Sequence, residues 1–103
     1  MNQSDFSWNG GSICFWSLSE LDTSIPLTKQ SHFLREDLAL ISYKNNCFID
    51  IGWYPSFDPG GSFKILAIVN DEWERPLREI SASSYQELRR AINDCIMCMQ
   101  EEL

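Results

Sequence analysis

The residues that could do chemistry are few, and the most compact group of them is acidic. Asp71, Glu72 and Glu74 surround Trp73 within one short stretch. Neighbouring carboxylates can act as acid and base or bind a metal ion, and an aromatic residue beside them can anchor a partner. A solvated turn gives the same pattern. Catalysis, recognition and simple exposure therefore stay open for this cluster.

Two cysteines have the spacing of a redox or zinc-binding pair. Cys95-Ile96-Met97-Cys98 has the C-x-x-C spacing but lies in the last turns of a predicted helix. The helix dipole opposes thiolate formation there. A structural zinc site needs a second pair of ligands, and Cys14 and Cys47 are isolated from each other. We expect four reduced thiols that act as small hydrophobic residues, with no metal and no cofactor.

Nucleophilic catalysis and phosphate binding lack a recognisable motif. His32 is the only histidine, and no serine or cysteine accompanies it in a nucleophile motif. Gly60-Gly61 does not lie between a strand and the start of a helix, where a phosphate-binding loop would lie. We therefore expect no catalytic residue.

Length and charge restrict the class of protein. The 103 residues predict a single domain over positions 1–103. Fifteen acidic against eight basic residues give a net charge of −7, which repels nucleic acid and attracts basic partners. No apolar run is long enough for a membrane span, and the first residues do not resemble a signal peptide. We expect a cytoplasmic protein without membrane or direct nucleic-acid contacts.

A strand predicted over Cys47–Tyr54 organises the rest of the chain. Side chains alternate between the two faces of a strand. One face is apolar throughout and carries Cys47, Ile49, Ile51 and Trp53. The other face carries Phe48, Asp50, Gly52 and Tyr54. Asp50 is then either a solvated residue of an outer face or a carboxylate that is presented to a partner.

The neighbouring segments predict an antiparallel meander around this strand. Further strands are predicted over 12–18, 38–43, 63–69 and 73–80. Positions 21–30 are interpreted as a loop, and the ambiguous segment 31–37 as a short helical turn that leads into the next strand. Pro76 cannot donate to a ladder, so the last strand should lie at an edge or carry a bulge.

A helix follows the meander. Ser84 and Glu87 have the spacing of a capping box. An apolar stripe follows at positions Tyr85, Leu88, Ile92, Cys95 and Met99. The predicted fold class is α+β, with an antiparallel sheet of four to five strands and a C-terminal α-helix packed on one face.

Three short motifs occur in a fixed order. They are Ile49-Asp50-Ile51-Gly52-Trp53-Tyr54, Asp58-Pro59-x-Gly61-x-Phe63 and Asp71-x-Trp73-x-x-Pro76. Together they resemble the central portion of small bacterial immunity proteins, which accompany contact-dependent growth inhibition and Rhs-type toxins. The resemblance covers positions 47–102 and leaves 1–46 unmatched.

The resemblance implies a non-enzymatic cytosolic protein that binds and neutralises one cognate toxin domain, often a nuclease that acts on tRNA or DNA. Toxin contacts differ between members of such families, so the resemblance itself transfers no interface residue. The acidic and aromatic residues predict the toxin-binding set Asp50, Tyr54, Asp71, Glu72, Trp73 and Glu74. The alternatives are a small enzyme that uses the acidic cluster around Trp73 and an unrelated protein-interaction subunit.

Overall fold

The computed structural model describes residues 1–103 and contains one antiparallel sheet and one α-helix. The strands follow one another in space as they do along the chain, each antiparallel to its neighbours. They are β1 Ser12–Trp16, β2 Ala39–Tyr43, β3 Cys47–Tyr54, β4 Ser62–Ile68 and β5 Arg78–Ala82, followed by α1 Tyr85–Glu102. The α+β prediction and the meander order are confirmed.

Strand β3 has the predicted bounds, and its apolar face forms the centre of the core. All four side chains of that face are buried. Trp53 pairs with Phe63 of β4, and the two rings meet edge to face with centroids 4.9 Å apart. Each large apolar side chain buried in this way contributes about 1.5–3 kcal/mol to the free energy of unfolding.

Helix α1 covers the same face of the sheet and packs mainly against β4 and β5. The Ser84 hydroxyl accepts a hydrogen bond from the Glu87 amide at 3.1 Å, and the Glu87 carboxylate accepts one from the Ser83 amide at 3.1 Å. The predicted cap is confirmed, although the carboxylate reaches the amide that precedes Ser84. The predicted apolar stripe is buried except for Tyr85, which is half-buried.

The prediction of the last strand was wrong at its start. Residues 71–77 form a turn, and β5 begins only at Arg78. The Arg75 amide donates to the Glu72 carbonyl at 3.2 Å and closes a turn over the first residues of the predicted strand. Asn70 and Asp71, which come before this turn, have positive φ angles of 56° and 59°. Pro76 therefore precedes the strand, while β5 does lie at the edge of the sheet.

The boundaries of the first half also differ from the prediction. Strand β1 ends at Trp16, because the chain turns into a 3₁₀ helix over Leu18–Glu20. Between β1 and β2, the helical turn predicted within 31–37 is a 3₁₀ helix over Ser31–Phe33, and the stretch predicted as a loop contains another over Leu27–Lys29. A fourth 3₁₀ helix spans Gln3–Asp5 at the start of the chain.

The segments outside the sheet pack into the same core as α1. Their fully buried residues, Leu18, Leu34 and Leu38, join the apolar cluster that contains the inner face of β3. Gln30 is buried there as well, and its side-chain amide donates to the Tyr85 hydroxyl at 3.0 Å. The opposite face of the sheet carries no such layer. No helix of the chain combines the length and the apolar character that a membrane span requires.

Candidate functional site

The uncovered side of the sheet is the candidate site, and we call it the open face. The strand register places one row of side chains across all five strands, with Phe15, Leu40, Asp50, Leu66 and Glu79 in neighbouring positions. A second row contains Ser42, Phe48 and Ile68. The open face is defined by its central residues Phe15, Leu40, Phe48, Asp50, Leu66 and Ile68, of which Ile68 is fully buried. Its centre is apolar around one carboxylate, and the row beyond Asp50 carries Gly52, Lys64 and Ser81.

Asp50 is the charged group in the middle of this apolar surface. Its direct neighbours across the sheet are Leu40 and Leu66, and it is half-buried. The chain has one salt bridge, between Arg35 and Glu20, so no basic side chain pairs with Asp50. Burial first, and the charge of Asp37 second, raise the pKa of Asp50 from 3.8 to about 6. Asp50 is thus a partly desolvated carboxylate without a salt bridge from within the chain.

A pocket opens beside Asp50, and we call it the Asp50 pocket. Its volume is about 350 Å³. Its lining consists of Phe15, Asp37, Ala39, Leu40 and Asp50. The carboxylates of Asp37 and Asp50 thus share a concave site with the side chains of Phe15 and Leu40. Such a lining suits a ligand group that is long, partly apolar and positively charged.

Sequence reasoning missed the contribution of Glu36 and Asp37. A Cβ atom on Gly52 would lie 1.9 Å from the Glu36 carbonyl oxygen, so this segment lies directly on β3. Burial raises the pKa of Tyr54, and the negative charges of Asp50, Glu36 and Asp37 raise it further. A glycine in the middle of a strand often marks a close backbone approach, so Gly52 was the available signal.

The structure brings Tyr54 and Asp50 together on the same side of β3, near Lys64. The Lys64 ammonium lies over the Tyr54 ring, 5.3 Å from its centroid. This cation–π contact directs the Lys64 ammonium to an aromatic ring, and Lys64 makes no salt bridge with Asp50. The negative charge of the open face is therefore not neutralised by a salt bridge from within the chain.

Trp73 packs against Phe48, an open-face residue near the start of β3. The two rings have centroids 5.3 Å apart, and 41% of the Trp73 surface remains exposed. The Trp73 indole donates to the Asp71 carboxylate at 2.7 Å, and the Asp71 amide donates to the Asn46 carbonyl at 2.8 Å. Asp71 thus holds the Trp73 side chain and fixes the loop to the β2–β3 turn.

Glu72 and Glu74 lie in the same loop and are exposed. Together with Asp71, Trp73 and Arg75 they line a second concavity of about 380 Å³. The predicted toxin-binding set therefore divides in two along β3. Asp50 and Tyr54 lie with Glu36 and Asp37, whereas the acidic loop lies beyond Phe48, at the start of the strand.

The cysteines divide between the core and the surface. Cys47, Cys95 and Cys98 are buried and free, as expected for small hydrophobic residues, but Cys14 is exposed. Cys14 lies at an irregularity in the β1–β2 pairing, which turns its side chain away from the core. Burial first, and Cys98 second, raise the pKa of Cys95 to about 12, so its thiolate is strongly disfavoured at neutral pH.

The remaining groups that could do chemistry are scattered. His32 is exposed and its ring packs beside Phe33, with centroids 4.1 Å apart. No three His, Cys, Asp or Glu side chains are grouped closely enough to hold a metal ion. Comparisons of the chain with protein-family models, with curated proteins and with solved structures gave no match.

Proposed function

We propose that this chain is a bacterial immunity protein. It binds a cognate toxin domain in the cytoplasm and neutralises it without catalysing a reaction, and the toxin domain is a basic nuclease. The observation that carries the proposal is the open face, an apolar sheet surface with the unpaired carboxylate of Asp50 at its centre. The order of the three sequence motifs supports the same class of protein.

The apolar part of the open face supports a binding role. Phe15 is 44% exposed and Trp73 is 41% exposed, although both have apolar neighbours on which to pack. Exposed apolar surface with a polar rim marks interaction sites in proteins, and aromatic residues dominate the energy of such sites. Phe15 and Trp73 are the aromatic anchors of the proposed interface.

The charge of the chain supports a basic partner. A net charge of −7 steers a positively charged protein towards this one and accelerates the encounter. A nuclease binds the phosphates of its substrate through basic residues. Carboxylates that occupy the positions of those phosphates would exclude the substrate, and this is the proposed mode of inhibition.

Most motif residues have structural roles, which limits where an interface can lie. Trp53 is 2% exposed, and its indole donates to the Asp58 carbonyl at 2.7 Å. A Cβ atom on Gly61 would lie 2.5 Å from the Tyr54 carbonyl oxygen and 2.7 Å from the Trp53 indole nitrogen. Asp58 and Gly61 of the second motif thus pack around the Trp53 indole. Asp50 and Tyr54 of the first motif and Trp73 of the third are left to face a partner.

Co-expression with a toxin tests the proposal. The proposal predicts that the gene immediately upstream encodes a large exported protein, and the C-terminal domain of that protein is the toxin domain to use. We expect that domain to stop growth and the wild-type chain to restore growth and form a complex with it. An upstream domain that is harmless, or that kills despite this chain, would contradict the proposal.

A matched pair of variants then locates the interface. Phe15→Arg places a positive charge on the open face, and Met97→Arg makes the same change on α1, where Met97 is 63% exposed. We expect both variants to fold and only Phe15→Arg to lose protection. Loss of protection by Met97→Arg alone would move the interface to the helix.

A further inference from the structure

We propose that the open face docks its basic partner by seating an arginine side chain of that partner in the Asp50 pocket. The guanidinium group lies against Phe15 and pairs with Asp50 and Asp37, and the aliphatic stem lies on Leu40. The inference deepens the proposed function and rests on it for the identity of the partner. The site itself is testable without that partner.

The size and lining of the pocket fit one long side chain. A volume of about 350 Å³ is near the lower end for small-molecule sites, which is too small for a helix or strand of the partner. Phe15 and Leu40 provide apolar walls, and Asp37 and Asp50 provide acceptors. Arginine matches this combination because its planar group stacks on aromatic rings and pairs with carboxylates in a forked geometry.

The counter-charge for Asp50 has to come from outside the chain. The salt bridge of the chain joins Arg35 to Glu20, and the Lys64 ammonium lies over the Tyr54 ring. A partly buried carboxylate without a cation is unfavourable, and a bound guanidinium removes that cost. Charge complementarity therefore selects a basic occupant for the open face.

A second copy of the chain does not fit this face. Pairing two open faces would bring the Asp50 and Asp37 carboxylates of both copies into one interface, each copy with a net charge of −7. Like charges in an interface that excludes water cost several kcal/mol. Nucleic acid is disfavoured for the same reason.

The pairing has a pH dependence, because an arginine pairs with the ionised carboxylate. The titratable groups that face Asp50 are Asp37 and Glu36 from the segment before β2, Tyr54 of β3, Lys64 of β4 and Glu79 of β5. Strand β2 presents Leu40 and Ser42 to this side, and β1 presents Phe15. With its pKa near 6, Asp50 is ionised at neutral pH and protonated in mild acid. We expect arginine binding to weaken as the pH falls through this range.

Nuclear magnetic resonance titration with single amino acids tests the site. The probe is N-acetyl-arginine amide, and its neutral control is N-acetyl-citrulline amide, which has almost the same shape. We expect the probe to shift the amide signals of Asp37, Leu40 and Asp50 at neutral pH in physiological salt. Citrulline should bind at least about tenfold more weakly, since charge-assisted hydrogen bonds are worth about 1.5–3 kcal/mol.

Two variants complete the test. Asp50→Asn should weaken arginine binding by about tenfold or more, whereas Asp94→Asn, which removes one exposed carboxylate from α1, should leave it unchanged. Equal binding by wild type and Asp50→Asn, or shifts spread over the whole acidic surface, would overturn the proposal. Equal binding of N-acetyl-lysine amide would overturn the assignment to arginine. Because no toxin is used, failure here is distinguishable from failure of the protection assay.

Discussion

The two faces of β3 differ in what their side chains do. On the inner face, Ile49, Ile51 and Trp53 are all at most 2% exposed and have no polar contact beyond the indole bond to Asp58. On the outer face, Asp50 and Tyr54 are half-buried and carry unneutralised charge and a hydroxyl. One strand therefore contributes to the core on one side and, in the proposed function, to recognition on the other. Substitutions on the two faces should affect different measurements.

The largest difference in stability is expected between two tryptophan-to-alanine substitutions, one in the core and one against the open face. Trp53→Ala should cost about 3–5 kcal/mol, because it empties a fully buried site and leaves the Asp58 carbonyl without its donor. Trp73→Ala should cost less, about 2 kcal/mol, because it removes the ring pair with Phe48 and the hydrogen bond to Asp71 from a side chain that is 41% exposed. Urea unfolding followed by circular dichroism measures both free energies.

The same pair separates stability from binding. If Trp53→Ala does not fold, Trp53→Phe provides the measurement, because it keeps an aromatic ring but loses the hydrogen bond to Asp58. Trp73→Ala should retain cooperative unfolding and weaken binding of the toxin domain. Equal losses of stability at both tryptophans would show that the two faces do not differ as described.

A smaller loss of stability is expected at Gly52, where the backbone of another segment approaches β3 closely. Gly52→Ala would place a methyl group 1.9 Å from the Glu36 carbonyl oxygen, so the segment that carries Glu36 and Asp37 has to move. Such overpacking typically costs about 1–3 kcal/mol. The matched control is Gly60→Ala, whose methyl group would meet only the Asp58 carboxylate, at 3.3 Å. Thermal melting should show a clear loss for Gly52→Ala and little change for Gly60→Ala. Equal melting temperatures would contradict the close approach.

Local pattern predicted much of the fold, and tertiary contacts explain what it missed. The bounds of β3 and the cap at Ser84 depend on alternation and spacing within a few residues, and both are confirmed. The strand predicted from Trp73 was wrong because a turn, closed by the Arg75 amide donating to the Glu72 carbonyl, occupies its first residues. Asp37 was missed as a site residue because its position beside Asp50 depends on the packing of its segment against Gly52.

A stability effect that depends on pH is expected at Asp50. Its pKa is raised from 3.8 to about 6 in the folded chain, so the folded state binds the proton more tightly than the unfolded state. The destabilising contribution is therefore absent below pH 3.8, develops as the pH rises and is complete above about pH 6. Solvent screening at this half-exposed group limits it to about 1 kcal/mol.

Asp50→Asn should remove this contribution. The variant should be more stable than wild type by about 1 kcal/mol at neutral pH, with the difference shrinking towards pH 4. Other carboxylates titrate in both proteins, so the difference between the two urea-unfolding curves is the quantity to measure. A variant that is less stable at neutral pH would show that the ionised carboxylate has a stabilising partner.

The smallest effect on the fold is expected in the acidic loop, where only the encounter with a partner should change. Glu72 and Glu74 are exposed, whereas Asp71 is left unaltered because it accepts the Trp73 indole hydrogen bond. Glu72→Lys with Glu74→Lys changes the net charge from −7 to −3, since each reversal adds two positive charges. Surface changes of this kind stay within about 0.5 kcal/mol of wild-type stability. The association rate with the toxin domain should fall at low salt and recover at high salt, while the dissociation rate stays constant.

The matched control is Glu101→Lys with Glu102→Lys, which makes the same change in net charge at the end of α1. Slower association in the loop variant alone would place the loop beside the docking path. Equal slowing in both would assign the effect to net charge, and faster dissociation of the loop variant would place Glu72 or Glu74 inside the interface with the aromatic anchor Trp73.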